Sequence, residues 1–423
     1  MDCVIVGGGI GGFEAAFTCL KLWPQKSVTL IDAEQEIGYY RTLLPQFMAG
    51  TLTEEKLFFW HPQDYPKLMV QSGTKVISLN RSKRQLHLQD GRIVQFERLI
   101  LSCGGRPIIP AVFREKTCSG VFPVRYYETA RETRQWLSEH PQVVVLGGGL
   151  VGVKTAVHLA HAGHKVTIIE KEDHLLPRAI SAQAARFVQE HLEKMGIELL
   201  LGSTVRNIRD CRGKLEAVHV AGRWFSCETL LIAAGSVPDT EFLNDSGLLK
   251  KGAIEVTPEL RTKDRNIFAI GDAIFVTTGD VHTPWTWPQA SFQGKLAAAN
   301  LYKSVPEPLK IITRVNAMNL FGLSLVVLGP PRPGAETISY VNKDDHVYRE
   351  LYVAEGSIVG GVLVGDISGA GHLHTSMAIG SKFKQNAACL LKPRGRVFTQ
   401  RLWHEVDQHR RKRFGIYCRS SGT

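Results

Sequence analysis

The stretch Gly7-Gly8-Gly9-Ile10-Gly11-Gly12 returns 140 positions later as Gly147-Gly148-Gly149-Leu150-Val151-Gly152. Each copy follows an apolar run, residues 4–6 and 143–146, that predicts a β-strand. The helices predicted after the turns cover residues 13–20 and 153–161, and the next predicted strands cover residues 28–31 and 166–169. One such unit is a weak indication of function, whereas two complete copies favour an α/β chain built around two nucleotide-binding units.

The glycines of these turns meet a specific physical demand. The pyrophosphate of a dinucleotide binds backbone amides at a helix N-terminus, where the helix dipole favours negative charge and a side chain would block the approach. The glycines that keep this approach open are Gly7, Gly9 and Gly12 in the first turn and Gly147, Gly149 and Gly152 in the second. We therefore predict two dinucleotide sites in one chain.

An acidic residue ends the second predicted strand of each copy, Asp32 in the first and Glu170 in the second. A carboxylate at this point accepts hydrogen bonds from the ribose hydroxyls of the nucleotide. Because Glu170 would repel the 2′-phosphate of NADPH, we expect NADH at the second site. The neighbouring cation, Lys171, is the residue that could soften this preference.

Residues 262–273 (TKDRNIFAIGDA) resemble the second FAD fingerprint of the two-dinucleotide-binding-domain flavoproteins, which include the pyridine nucleotide-disulfide oxidoreductases. The resemblance implies that Asp272, which follows Gly271, binds the ribityl chain of FAD. It thereby assigns FAD to the first glycine turn and NADH to the second. Residues 99–107 and 230–238 are similar to the family's crossings between domains, and Gly235 in the second crossing is assigned to the NADH site.

Two further stretches resemble, within that family, the NADH:rubredoxin reductases, the flavin portion of nitrite reductases and related ferredoxin reductases. Residues 37–45 (IGYYRTLLP) resemble their loop beneath the isoalloxazine ring, which implies FAD contacts from Arg41 and Thr42. Residues 287–300 resemble the helix whose N-terminus faces the flavin pyrimidine, which implies a contact from Gln289. For Arg41, an ordinary structural salt bridge is the alternative.

The order of these motifs predicts two Rossmann-like dinucleotide-binding domains and a third domain. The FAD domain is discontinuous, over residues 1–110 and 241–304, and the NADH domain is inserted over residues 111–240. Residues 305–423 resemble the family's α+β C-terminal interface domain and end in a basic tail. The short strands predicted there cover residues 324–328, 337–341, 347–353 and 358–364, and a helix is predicted over residues 398–409.

The eight cysteines form no C-x-x-C or C-x-x-x-x-C pair. Where related disulfide reductases carry a thiol beside the flavin, this chain has residues 41–44, so we predict no redox-active cysteine. FAD accepts two electrons as hydride from NADH and releases them singly, which favours a one-electron iron-sulfur acceptor of ferredoxin or rubredoxin type. An NADH oxidase that uses oxygen and a basic flavoprotein with a binding or signalling role are the alternatives.

The histidines His158, His161 and His164 lack a carboxylate or cysteine at ligand spacing, so we predict no metal site. The scattered cysteines fit a reducing cytoplasm. No apolar run is long enough to span a membrane, and the first predicted strand leaves no room for a signal peptide. We therefore expect a cytoplasmic enzyme without a membrane association.

The net charge of +11 is concentrated near the C-terminus, where residues 392–423 contain nine Lys or Arg and two acidic residues. Such a surplus favours an acidic iron-sulfur carrier through long-range attraction. By resemblance, the carrier could also be a ferredoxin-like subunit of a larger redox complex, such as a carbon monoxide dehydrogenase system. A solvated basic helix with a frayed end is the main alternative for this tail, and nucleic acid or an anionic membrane has less support.

Overall fold

The computed structural model describes residues 1–114, 118–277, 286–309, 315–382 and 390–391. The chain divides into two compact units, one of Met1–Lys171 and Gly202–Ile311 and the other of Glu172–Leu201 and Ile312–Thr423. No helix in these described ranges is both long and apolar enough to cross a membrane.

The described residues form eight α-helices and several 3-10 turns. The helices are α1 (Ile10–Leu22), α2 (Leu44–Met48), α3 (Glu54–Leu57), α4 (Tyr127–Leu137), α5 (Leu150–His161), α6 (Ala182–Lys194), α7 (Trp287–Asn300) and α8 (Ala370–Ile379). The 3-10 turns are Arg41–Leu43, Pro62–Asp64, Ala111–Phe113, Glu241–Ser246 and Gly271–Ala273.

The first glycine turn joins a parallel five-stranded sheet to α1. The strand order is Ile267–Ala269, Arg98–Leu101, Cys3–Val6, Val28–Ile31 and Leu68–Gln71. The central strands are apolar and buried throughout, as is typical of a parallel sheet covered on both faces. This arrangement brings the strand before Gly271 close to the strand before Gly7, although the two glycines are far apart in the sequence.

The second glycine turn repeats this construction between a strand and α5. Four parallel strands of the first unit lie in the order Lys165–Ile169, Gln142–Leu146, Thr229–Ile232 and Val121–Pro123. Gly147 therefore leaves the middle of a buried sheet, as Gly7 does in the first copy.

Four small sheets complete the first unit. Their strands are Val76–Asn80 with Gln85–Leu88 and Ile93–Gln95; Val205–Cys211 with Lys214–Val220 and Arg223–Ser226; Leu249–Lys250 with Ala253–Val256 and Ile274–Val276; and Gly105–Pro107 with Ser236–Pro238.

The second unit contains α6, α8, the strand Glu198–Leu200 and an antiparallel sheet of five strands. The order in that sheet is Asn316–Asn319, Ser324–Val327, Ser357–Val364, Val347–Ala354 and Glu336–Asn342. The buried Glu350 links this sheet to the start of α6, because its Oε2 accepts hydrogen bonds of 2.8 Å from Ser181 Oγ and from Tyr348 Oη. Tyr352 Oη donates to Oε1, so hydroxyl donors satisfy both oxygens of the buried carboxylate.

The predicted α/β class with two Rossmann-like folds is confirmed. Helices α1 and α5 begin three residues before their predicted starts, because the glycine turns themselves supply the first helical residues. Phe13 N donates to Gly9 O at 3.0 Å and Val153 N donates to Gly149 O at 2.9 Å, which closes the first turn of each helix. The basic tail and the helix predicted over residues 398–409 lie outside the described residues.

Candidate functional site

The first glycine of each turn is required by the fold itself. Gly7 has φ +110° and Gly147 has φ +114°, in the left-handed region that favours glycine. A Cβ atom on Gly7 would lie 2.1 Å from Ser102 O, and one on Gly147 would lie 2.4 Å from Ala233 O. Neither position can carry a side chain without moving the neighbouring strand.

The last glycine of each turn allows the helix to approach the strand before it. A Cβ atom on Gly12 would lie 1.9 Å from Gly7 O, and one on Gly152 would lie 1.8 Å from Gly147 O. These two glycines are therefore also explained by packing alone.

The third position of each turn has no such explanation. Gly9 and Gly149 are the N-caps of α1 and α5, with φ −76° and −75°, which any residue can adopt. A Cβ atom on either would meet no described atom within 4 Å. Space is thus kept open at two helix N-termini that have no side-chain cap, and this arrangement fits the pyrophosphate of a dinucleotide.

The acidic residues Asp32 and Glu170 lie beside the turns in equivalent places. The Gly8 amide donates to Asp32 Oδ2, and the Gly148 amide donates to Glu170 Oε2 at 2.5 Å. Asp32 Oδ1 also accepts from Glu34 N at 2.7 Å. Burial raises the pKa of Asp32. Each carboxylate is therefore fixed against the glycine turn, and the hydrogen bonds from Asp32 and Glu170 to the ribose of a nucleotide stay a prediction.

Gly271 and Asp272 lie next to the first turn, as the parallel sheet requires. Gly271 has φ +75°, and its amide donates to Gln293 Oε1 of α7 at 2.7 Å. Arg125 Nη2 donates to Asp272 Oδ2 at 3.1 Å. Asp272, the residue predicted to bind the ribityl chain, is thus paired with an arginine that is distant in the sequence.

The loop around Arg41 contacts Arg125, the residue that pairs with Asp272. Arg41 forms an ion pair with Glu34, and its Nη1 donates to Tyr39 Oη at 2.6 Å and to Arg125 O at 3.0 Å. The structural salt bridge that the sequence left open for Arg41 is therefore present. A contact between Arg41 and flavin stays a prediction.

Helix α7 begins beside this loop. The rings of Tyr40 and Trp287 are 5.7 Å apart, which places the first residue of α7 against the residue before Arg41. Gln289, in the first turn of α7, is 8% exposed and accepts a 2.8 Å hydrogen bond from Thr286 Oγ1. Thr42, the other predicted loop contact, offers its carbonyl oxygen to Lys154 Nζ at 2.6 Å.

Gly235 lies at one of the predicted crossings between domains. It has φ +102°, and its carbonyl accepts from Ile108 N at 3.0 Å. The strands Gly105–Pro107 and Ser236–Pro238 pair beside it. The structure thus brings the two crossings together. Gly235 follows the strand Thr229–Ile232, which pairs with the strand that leads into the second glycine turn.

Arg125, Glu34 and Lys154 are site residues that sequence reasoning missed. Arg125 and Glu34 carry no local pattern, since their partners are set by long-range folding. Lys154 had a detectable signal, because it is the single Lys or Arg within the apolar helix α5.

Two remaining features of the described residues concern the predicted absence of a thiol relay and of a metal site. Cys103 follows Ser102 next to Gly7, and burial raises its pKa to about 12, which keeps the thiol protonated at neutral pH. Within the described part of the chain, no group of three or more His, Cys, Asp or Glu residues is arranged to hold a metal ion.

Comparison with known proteins shows matches along most of the chain. Residues 1–294 match the family described as pyridine nucleotide-disulphide oxidoreductase, and residues 315–380 match the rubredoxin NAD+ reductase C-terminal domain. An NADH oxidase from Methanocaldococcus jannaschii is 27% identical over 395 residues, covering 86% of this chain and 88% of the relative. A rubredoxin-NAD(+) reductase from Pseudomonas putida is 27% identical over 338 residues, covering 76% of this chain and 86% of the relative. The solved covalent complex of putidaredoxin reductase with putidaredoxin contains a similar fold, with a TM-score of 0.86 and 22% identity over 96% of this chain and 99% of that chain.

Proposed function

This chain belongs to the pyridine nucleotide-disulphide oxidoreductase family, and on that premise we propose that it passes electrons from NADH through FAD to a one-electron iron-sulfur carrier. The observation that carries the proposal is the pair of glycines Gly9 and Gly149. Both keep space open at a helix N-terminus where neither backbone conformation nor packing calls for glycine. Two such openings in one chain are what a flavoprotein that oxidises a nicotinamide nucleotide requires.

We assign FAD to the first turn and NADH to the second. The first turn adjoins the residue before Gly271 and the first turns of α7, because a Cβ atom on Gly11 would lie 3.1 Å from Ile270 Cδ1 and 3.2 Å from Ala290 O. The residues proposed to hold FAD are Gly7, Gly9, Gly12, Asp32, Arg41, Thr42, Gly271, Asp272 and Gln289. Those proposed to hold NADH are Gly147, Gly149, Gly152, Glu170 and Gly235.

Bound FAD would supply a centre that accepts hydride from NADH and delivers electrons one at a time. The chain's own contribution is positioning and charge. The N-terminus of α7 presents amide groups and the positive end of a helix dipole, which favour negative charge nearby. The raised pKa of Cys103 and the absence of paired cysteine motifs from the sequence support electron transfer without a thiol relay.

For the partner we propose an acidic carrier of ferredoxin or rubredoxin type. The names of the relatives support an iron-sulfur protein, and the net charge of +11 supports an acidic one. A ferredoxin-like subunit of a larger complex, such as a carbon monoxide dehydrogenase, remains a proposal from resemblance only. We also propose a cytoplasmic location and the domain limits 1–110 with 241–304, 111–240 and 305–423.

An NADH oxidase is the second candidate, since the M. jannaschii relative bears that name. The two activities separate in an anaerobic assay of NADH oxidation with rubredoxin, with a ferredoxin and with no added acceptor, followed by admission of air. Rapid anaerobic turnover with an iron-sulfur protein supports the reductase. Turnover that begins only with oxygen assigns the chain as an oxidase, and failure of NADH to bleach bound FAD contradicts both.

The preference for NADH over NADPH is a further part of the proposal. Glu170 is 6% exposed and accepts a hydrogen bond from the Gly148 amide, which supports a fixed negative charge beside the second turn that would repel a 2′-phosphate. In anaerobic stopped-flow reduction of the flavin, we expect the wild type to prefer NADH and Glu170→Arg to shift the preference toward NADPH by about tenfold or more. A wild type that reacts faster with NADPH contradicts this assignment, and Glu172→Arg serves as the neighbouring control.

A further inference from the structure

Lys154 forms a direct connection between the elements that carry the two glycine turns. It lies two residues after Gly152 on α5, the helix that begins at the second turn. Its Nζ donates a 2.6 Å hydrogen bond to the carbonyl oxygen of Thr42, which is 112 residues away in the sequence. Thr42 belongs to the 3-10 turn Arg41–Leu43, beside the first site.

The charge of this lysine is unusual for its surroundings. Within the described residues its ammonium forms no ion pair, and burial is the cause that lowers its pKa. The two arginines near the first site, by contrast, are paired with carboxylates: Arg41 with Glu34 and Arg125 with Asp272. Lys154 is half-buried, and the hydrogen-bond acceptor of its ammonium is a neutral carbonyl oxygen instead of a carboxylate.

The position of Lys154 is defined from both sides. Through Thr42 it adjoins Arg41, whose Nη1 donates to Arg125 O, and Arg125 in turn holds Asp272. Through the first turns of α5 it adjoins the opening at Gly149. Lys154 therefore connects the helix that begins at the second opening with the 3-10 turn that contains Arg41, beside the proposed FAD site.

We propose that Lys154 is a positioning residue that holds α5 against the loop of residues 37–45, which resembles the loop beneath the isoalloxazine ring. Through its charge, Lys154 also stabilises the reduced flavin. This inference rests on the proposed function. A flavin gains negative charge when it accepts hydride, and a cation in a partly desolvated position stabilises that charge more than a water-exposed one does. The hydrogen bond to Thr42 fixes where the ammonium lies.

Three substitutions separate the charge from the hydrogen bond. Lys154→Gln keeps a donor for Thr42 and removes the charge, Lys154→Arg keeps both, and Lys154→Met removes both. Lys165→Gln is the matched control, because Lys165 is an exposed lysine of the same unit. The quantity measured is the midpoint potential of protein-bound FAD, titrated anaerobically against a reference dye without NADH.

We expect the Gln and Met variants to shift the reduction equilibrium about tenfold toward oxidised flavin, which is about 30 mV for a two-electron couple. The Arg variant and the Lys165 control should stay at the wild-type potential. An unchanged midpoint potential in both the Gln and Met variants would overturn the inference, even if their melting temperatures fall. Loss of a purely structural contact would lower the stability of the protein without changing the potential of its flavin. If the wild type binds no FAD, the proposed function and this inference are both overturned. If NADH reduces the FAD of the wild type, the proposed function holds and the potentials of the variants test Lys154 alone.

Discussion

Gly9 and Gly149 separate what a ligand requires from what the fold requires. Because their φ values suit any residue and no described atom would contact a Cβ there, Gly9→Ala should keep the apoprotein folded, with an unfolding free energy within about 1 kcal/mol of wild type. The reduced entropy of the unfolded chain and the weaker N-cap preference of alanine act in opposite directions. The methyl group would occupy the phosphate position, so FAD affinity should fall about tenfold or more. Gly149→Ala should do the same to NADH affinity and leave FAD bound.

The control for this pair is Gly12→Ala. Its Cβ atom would lie 1.9 Å from Gly7 O, so this variant should lose stability as well as FAD. Fluorescence titration of FAD and urea unfolding of the apoprotein give the two quantities. If Gly9→Ala binds FAD as the wild type does, the assignment of the first opening to pyrophosphate is wrong.

His158 predicts a pH dependence of stability. Burial, with nearby Lys154 and His161, lowers the pKa of His158 from 6.5 to about 4. Below about pH 6.5 the imidazole is protonated in the unfolded chain and still neutral in the folded chain. The contribution of His158 to the free energy of unfolding is therefore fully present above about pH 6.5 and is lost as the pH falls toward 4. We expect wild type to lose about 1–2 kcal/mol more than His158→Gln between pH 7.5 and pH 5.

Urea unfolding at the two pH values measures this difference. His61→Gln replaces an exposed histidine and should reproduce the wild-type loss. Equal losses in wild type and His158→Gln would show that the burial of this imidazole does not govern the acid sensitivity.

At the scale of single residues, the sequence predicted those that repeat or follow a local rule. The glycines and the acids Asp32 and Glu170 occupy fixed positions in a motif, so spacing identifies them. The pairs Arg125 with Asp272 and Arg41 with Glu34 depend on which strands and loops become neighbours. No local pattern contains that information.

Between elements, the contact of α1 with α7 joins the first glycine turn to the helix beside Asp272. A Cβ atom on Gly294 of α7 would lie 2.3 Å from Gly11 O and 3.1 Å from Ala15 N. Gly294→Ala should therefore destabilise the protein by about 1–3 kcal/mol, although alanine favours a helix in isolation. FAD should also bind more weakly, because α1 begins at the first turn.

Gly371→Ala is the matched substitution in another helix. Gly371 lies in α8, and a Cβ atom there would meet no described atom within 4 Å, so this variant should be neutral or slightly more stable. Melting temperatures of the two variants compare the effects directly. Equal melting temperatures would show that α1 and α7 can separate at no cost.

The buried strands were largely predictable, since apolar runs bounded by turns leave a clear pattern in the sequence. Helix α7 has little amphipathic periodicity and was identified through the family resemblance. The starts of α1 and α5 were placed three residues late because glycine is a poor helix former, and only the geometry of the turn shows that it enters the helix. The order of strands in the sheets was accessible only through the family resemblance, because local sequence does not specify long-range pairing.

For the whole molecule, the distribution of charge gives the last prediction. Residues 392–423 contain nine cationic and two acidic residues, and so contribute most of the net charge of +11. They would attract an acidic carrier electrostatically, and salt screens this attraction. We expect kcat/KM for such a carrier to fall about tenfold between low salt and 0.5 M salt, because the screening length shortens from about 10 Å at 0.1 M to a few ångströms.

Reduction of bound FAD by NADH serves as the internal reference for this experiment, since it involves no protein partner and should change less with salt. Removal of residues 392–423 should lower the low-salt kcat/KM for the carrier and flatten its salt dependence, while leaving NADH reduction near the wild-type rate. If the shortened chain keeps the full salt dependence, the attraction comes from the remainder of the surface. If even the full chain shows none, recognition of the carrier rests on contacts at the interface, and the basic surplus has another role.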